Sequence, residues 1–188
     1  MSGSYEQLPA DLPVPEDDGA AEHLPGTVMP PVTLPSTRGG TVDLATAGDP
    51  VAIVYVYPMT GTPGVALPEG WDQIPGARGC TPESLGFRSH YAELTELGAQ
   101  VFGLSSQTPA EQAEAAARLA LPFPLLSDSA LTLAGQLRLP TFVADGVVRY
   151  RRLTLVLRAG RISHVFYPVF PPDQHAAEVL AWLREHPA

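Results

Sequence analysis

The chain has 188 residues but only one cysteine and no lysine, and its longest apolar run, Val51 to Tyr57, is seven residues. A single thiol excludes an intramolecular disulfide and any zinc or iron–sulfur site that needs several thiolates. Seven apolar residues fall far short of the roughly 20 that carry a helix across a bilayer. Eleven arginines face twenty acids, a net charge of −9, so no cationic surplus exists to neutralise nucleic-acid phosphates. The five histidines, His23, His90, His164, His175 and His186, show none of the short spacings that mark a metal site. The first residues lack the basic and apolar regions of a signal peptide. A cytoplasmic protein is expected, with no nucleic-acid or membrane partner, no metal and no cofactor.

What is present describes a globular protein. Apolar residues make up 45% of the chain, enough for a core in a single domain. Charge is unevenly placed: residues 1–25 hold six acids, four prolines and no arginine. With no apolar periodicity, this stretch reads as an extended, poorly ordered acidic arm, leaving residues 26–188 as the folded domain.

Beyond the arm, strand and helix patterns alternate. Val51–Tyr57 is a β-branched and aromatic run that suits a buried central strand. After a Gly/Pro-rich loop, Pro82 to Leu97 has broadly helical apolar spacing and stops at Gly98. A second buried strand follows over 99–104. Thr108-Pro109-Ala110-Glu111 is a capping box that opens an alanine-rich helix to about Ala120. A short strand is expected over 121–126 and a helix over 128–137. Two strands, 153–157 and 162–167, are joined as a hairpin through Arg158-Ala-Gly-Arg161, and a helix over 173–185 closes the chain. Such alternation implies an α/β fold, with a mixed sheet covered on both faces.

The lone cysteine sits where the long loop meets a helix, in Gly79-Cys80-Thr81-Pro82-Glu83-Ser84. Lone cysteines are by default small buried hydrophobes. Here Thr81 reads as an N-cap and Pro82 as a first-turn residue. A thiolate at Cys80 would then face the free N–H groups of the helix start, which lower a thiol pKa. This is a nucleophile's position. A hydrolase dyad of Cys80 with His164 rests on residue types alone.

Gly79-Cys-Thr-Pro-Glu-Ser-Leu-Gly-Phe-Arg88 resembles the active-site helix of peroxiredoxins, nearest the bacterioferritin comigratory protein (PrxQ) type. The resemblance runs from about Leu24 through nearly the whole chain. Pro31–Pro35 with Gly40–Leu44 is similar to the family's N-terminal hairpin, and Tyr55-Val-Tyr-Pro58 to the strand that leads into the site. Leu121–Asp128 resembles a segment of this branch, and Arg152-Leu-Thr-Leu-Val156 its arginine-bearing strand. The resemblance implies a thioredoxin-like fold, with a central mixed β-sheet flanked by helices, and a thiol peroxidase. Cys80 would be the peroxidatic residue, passing through a sulfenic acid. Arg152 would hold the thiolate and polarise the peroxide, Pro58 would shield the cysteine, and a threonine would orient the substrate, hydrogen peroxide or an organic hydroperoxide.

Two departures stand out. The family pattern Pro-x-x-x-Thr-x-x-Cys fits Pro58 and Thr62, but its cysteine position is Val65, and an insertion of 15 residues precedes Cys80. Either Thr62, Thr60 or neither could then serve the peroxide. The second departure is Leu85, where this branch often has its resolving cysteine. The resemblance therefore implies a one-cysteine mechanism with an external thiol as reductant, either a small thiol or a thioredoxin- or glutaredoxin-like protein. The assembly expected is a monomer or homodimer. The alternative is a non-catalytic redoxin-like peroxide sensor or binding module.

Overall fold

A computed structural model describes residues 5–187 of the chain. Its centre is a five-stranded sheet, and the strands fall where the buried runs lie. β3 (Val51–Val56) is fully buried and central; β4 (Ala99–Ser105) and β5 (Leu125–Ser127) run parallel to it on one side. On the other side β8 (Leu153–Arg158) and β9 (Arg161–Phe166) add an antiparallel hairpin, giving the order β5-β4-β3-β8-β9. The sheet is therefore mixed.

Successive side chains of a strand point to opposite faces, so β3 feeds two cores. Ala52, Val54 and Val56 pack with Met29, Leu34, Leu44 and Leu133 on one face. That face is covered by the hairpin of β1 (Thr33–Pro35) and β2 (Thr41–Asp43) and by α4 (Thr132–Leu137). Val51, Ile53 and Tyr55 pack on the other face with Phe87, Leu94, Ala115 and Val179. Those residues belong to α1 (Cys80–Ser89), α2 (Tyr91–Glu96), α3 (Pro109–Arg118) and α5 (His175–Glu185). The capping box of α3 forms as its sequence predicts: Glu111 N–H donates to Thr108 Oγ1, and Thr108 N–H to Glu111 Oε2. Among the described residues no helix is long and apolar enough to cross a membrane.

Several boundaries differ from the sequence reading, each for a local reason. The helix expected over 82–97 is two helices joined at His90, where the Ser89 hydroxyl donates to the Leu85 carbonyl at 2.9 Å. Such back-bonding bends helices. The helix expected from Asp128 begins at Thr132, because the Asp128 carboxylate instead accepts from the N–H groups of residues 132–134. A hairpin of β6 (Thr141–Ala144) and β7 (Val147–Tyr150) was not anticipated. Its turn, Asp145-Gly146, has positive φ at both residues, the geometry that Asp-Gly favours.

Residues 5–25 hold no helix or strand, yet they lie against the domain. Ala21 and Leu24 are buried in the core beside the β1–β2 hairpin, so the charge boundary near residue 25 is not a packing boundary. Further upstream, the Tyr5 hydroxyl donates to the Val65 carbonyl at 2.6 Å, and the Arg78 guanidinium lies 5.5 Å above the Tyr5 ring.

Candidate active site

Two adjacent strands bring the chemistry-bearing residues together. β3 and β8 pair with Val56 opposite Leu153, so the segment leaving β3 (Tyr57, Pro58, Met59) and the residue entering β8 (Arg152) meet at one end of the sheet. Gly79, at φ 108°, turns the chain into α1, and Cys80 is its first residue. Only glycine takes that left-handed conformation freely. Thr81 is therefore not the cap expected from sequence: Gly79 holds that place and makes no side-chain cap bond. Thr81 sits inside the first turn, buried, with its hydroxyl unpaired.

Cys80 is 3% exposed. Its Sγ lies 3.2 Å from Arg152 Nη2 and accepts from the Met59 N–H at 3.5 Å, with the Ala77 carbonyl 3.7 Å away. Of the run Arg149, Arg151 and Arg152, only Arg152 is fully buried. Its Nε donates to the Gly76 carbonyl, and Nη2 to the carbonyls of Ala77 and Arg78, each at 3.2–3.3 Å. Nη1 pairs with Glu83 Oε2. Glu83 went unassigned in the sequence, although it stands one helical turn beyond Cys80, where it can share a face with it.

The helix start alone predicts a lowered thiol pKa, but the buried site reverses the sign. Burial pushes the Cys80 thiol up; Arg152 pulls it back, Glu83 pushes it up, and the Met59 N–H lowers it. Burial also lifts the Glu83 carboxyl, against the pull of Arg152 and of His175. Because the thiolate is the nucleophile, oxidation of Cys80 is expected to accelerate as pH rises above neutrality. Glu83→Gln removes an anion that raises the thiol pKa, so it moves that rise to lower pH. A profile that stays in place, measured as peroxide consumption against pH, contradicts this electrostatic account.

The insertion is a folded element. Trp71 is buried in a third cluster with Ala77 and Ala144, supported by Met59, Leu67, Ile74 and Phe142. Asp72 and Arg78 pair at 2.8 Å. This cluster fixes the loop that hands its carbonyls to Arg152. Thr60 is buried, but its N–H and hydroxyl both donate to Gln107 Oε1, at 2.9 and 3.2 Å. Thr62 is exposed, and so is Val65, at the position of the motif cysteine.

A crevice of about 10 Å³ over Cys80 is walled by residues that include Tyr5, Met59, Leu67, Trp71 and Thr81, and Thr62 is not among them. That volume holds about one water. An adjoining basin of about 460 Å³ shares Met59, Gly61 and Leu67 with it and reaches Thr62 and Arg149. Pro58 is buried, directly before Met59. Leu85 is half-buried and packs against the helix-side core. His164 stacks on Trp182 with ring centroids 4.5 Å apart on the edge strand β9, which removes the hydrolase dyad. His90 pairs with Glu93 at 3.1 Å.

Comparison with known proteins identifies the family of the chain. The Redoxin family matches residues 24–180. The chain is 30% identical over 165 residues to peroxiredoxin Bcp of Escherichia coli, covering 86% of this chain and 96% of that protein. It is 27% identical over 181 residues to the chloroplastic peroxiredoxin Q of Gentiana triflora, covering 94% and 76%. Among solved structures, peroxidoxin BcpB of Mycobacterium tuberculosis superposes with a TM-score of 0.69 at 27% identity, over 88% of this chain and all of that one. A peroxiredoxin Q mutant of Xylella fastidiosa shares the fold at a TM-score of 0.70, 23% identity, over 87% and 98%. The chain belongs to the Redoxin family and, within it, to the Bcp and PrxQ peroxiredoxins, which are thiol-dependent peroxidases.

Proposed function

We propose that the chain reduces hydrogen peroxide or organic hydroperoxides by a one-cysteine cycle at Cys80. The observation that carries this reading is the sole thiol of the chain, held 3.2 Å from a buried arginine at a helix start. The Cys80 thiolate attacks the O–O bond, and a sulfenic acid forms as hydroxide or alkoxide leaves and takes a proton to become water or alcohol. One external thiol condenses with the sulfenic acid, releasing water and leaving a mixed disulfide. A second thiol cleaves that disulfide and restores Cys80.

Arg152 and the Met59 N–H hold the thiolate, and Pro58 covers it. The exposure of Thr62 supports no contact with the peroxide in this conformation. The donor is a small thiol or a thioredoxin- or glutaredoxin-like protein. A cytoplasmic setting, where thiols are kept reduced, supplies it.

One equivalent of peroxide is expected to add one oxygen atom to the intact mass, faster than it oxidises free cysteine. Cys80→Ser abolishes the addition, and a thiol donor reverses it with turnover. A rate no better than that of free cysteine ends the peroxidase reading. The small size of the crevice, about 10 Å³, favours a second reading, a sensor, which would oxidise quickly yet give no turnover with any donor class.

A further inference from the structure

The peroxide needs a hydrogen-bond donor beyond those that hold the sulfur. As Sγ attacks the near oxygen, the O–O bond breaks and its electron pair leaves on the far oxygen. Sulfur is oxidised by two electrons, the peroxide is reduced, and negative charge gathers on the leaving atom. Arg152 has at most one N–H left for it, on Nη1: the others are committed to Cys80, Glu83 and the carbonyls of Gly76, Ala77 and Arg78. The two threonines nearest the family pattern are not available either. Thr60 is tied to Gln107, whose Oε1 also accepts from the Ser105 hydroxyl at 3.3 Å. Thr62 is exposed and absent from the crevice walls.

Thr81 carries the hydroxyl that remains beside the thiol. It follows Cys80 directly, is 2% exposed, and forms part of the wall of the crevice over the thiol. Its Oγ1 is one of the few buried side-chain oxygens among the described residues with no hydrogen-bond partner. Buried polar groups are nearly always paired, and an unpaired one destabilises the fold. A hydroxyl offers one donor and two acceptor positions, so it can serve both oxygens of a hydroperoxide.

Resting on the peroxidase reading above, we propose that Thr81 is a catalytic residue, its hydroxyl donating a hydrogen bond to the bound peroxide in place of the motif threonine. Thr81 keeps its own proton throughout, and the leaving oxygen is protonated from solvent.

The test compares Thr81→Val and Thr81→Ser with the unsubstituted protein. Each is assayed for single-turnover oxidation by hydrogen peroxide and for alkylation of Cys80 by iodoacetamide across pH. Alkylation reports the thiolate without needing a peroxide donor. Thr81→Val is expected to slow oxidation on the order of 10²-fold, the effect of removing one oxyanion donor. Its alkylation rate should stay within about twofold of the parent and the pH midpoint of alkylation should not move, since no donor to the sulfur is lost. Thr81→Ser should recover most of the lost rate. Because valine replaces an unpaired hydroxyl, Tm should hold or rise. Undiminished oxidation in Thr81→Val overturns the proposal, as does an equal fall in both reactions, which would place Thr81 behind the thiol. A slow unsubstituted protein overturns the peroxidase reading itself, and the role of Thr81 with it.

Discussion

Arg152→Met is expected to slow peroxide oxidation of Cys80 by roughly 10²–10³-fold, the range for losing a preorganised charge at a site of developing anion. The cation also lowers the thiol pKa, so the pH at which Cys80 becomes reactive moves further alkaline. The same change strands Glu83, which is buried and pairs with Arg152. Removing one partner of a buried ion pair costs about 3–5 kcal/mol. Glu83 can escape part of that cost by taking up a proton. Its folded pKa, already lifted by burial, would rise further above the unfolded value, so the variant is most stable in acid and loses stability as pH rises through the folded pKa. Adding Glu83→Gln to the variant should restore Tm at neutral pH without restoring the oxidation rate. Oxidation within a few-fold of the parent rate would remove Arg152 from the mechanism. Thermal melts from pH 4 to 9, beside single-turnover oxidation, separate the two roles.

Deleting residues 1–15 is expected to raise the rate of Cys80 alkylation by iodoacetamide on the order of tenfold, since local cover opens at less cost than the fold. Tyr5 walls the crevice over the thiol and is fastened to the insertion through the Val65 carbonyl. Its ring also lies close to Gly61, where an added Cβ would come within 3.0 Å of it. Leu8 reaches toward Gly79, and Pro15 toward Gly76. The deletion spares Ala21 and Leu24, which belong to the core, so the domain itself should keep its Tm. Tyr5→Phe, which loses only the hydroxyl contact, should give a smaller increase. Alkylation unchanged by the deletion would mean that the insertion alone closes the site.

Local chemistry was legible in the sequence wherever neighbouring residues decide the outcome. The β-branched run of β3, the Thr108–Glu111 box and the turn at Arg158–Arg161 each carry their own signal. Cys80 could be placed at a helix start for the same reason. The electrostatics of that start could not, because the sign of the thiol shift depends on burial, and the crevice walls come from segments as distant as Tyr5, Leu67 and Trp71. Thr81 resembles a cap in sequence, yet Gly79, at φ 108°, turns the chain two residues earlier than the pattern suggests. The 15-residue insertion showed only as a break in the motif. Its burial of Trp71 against Phe142 joins segments about 70 residues apart. The Asp145-Gly146 turn is a local signal of the same kind as the turn at Arg158–Arg161.

The pairing of β3 with β8 makes enzyme activity a report on strand alignment. Cys80 and Arg152 are 72 positions apart in the chain, and the register that sets Val56 opposite Leu153 brings Arg152 alongside the segment that carries Pro58 and Met59. A slip of β8 by one residue would swing Arg152 to the opposite face of the sheet. The central hydrogen-bond ladder could still form, with apolar residues from Leu153 to Leu157 facing either way, all of them buried in the native sheet. A misaligned molecule could therefore look folded by far-ultraviolet circular dichroism and still be inert toward peroxide. Titrating active sites in a refolded sample would count the correctly aligned chains.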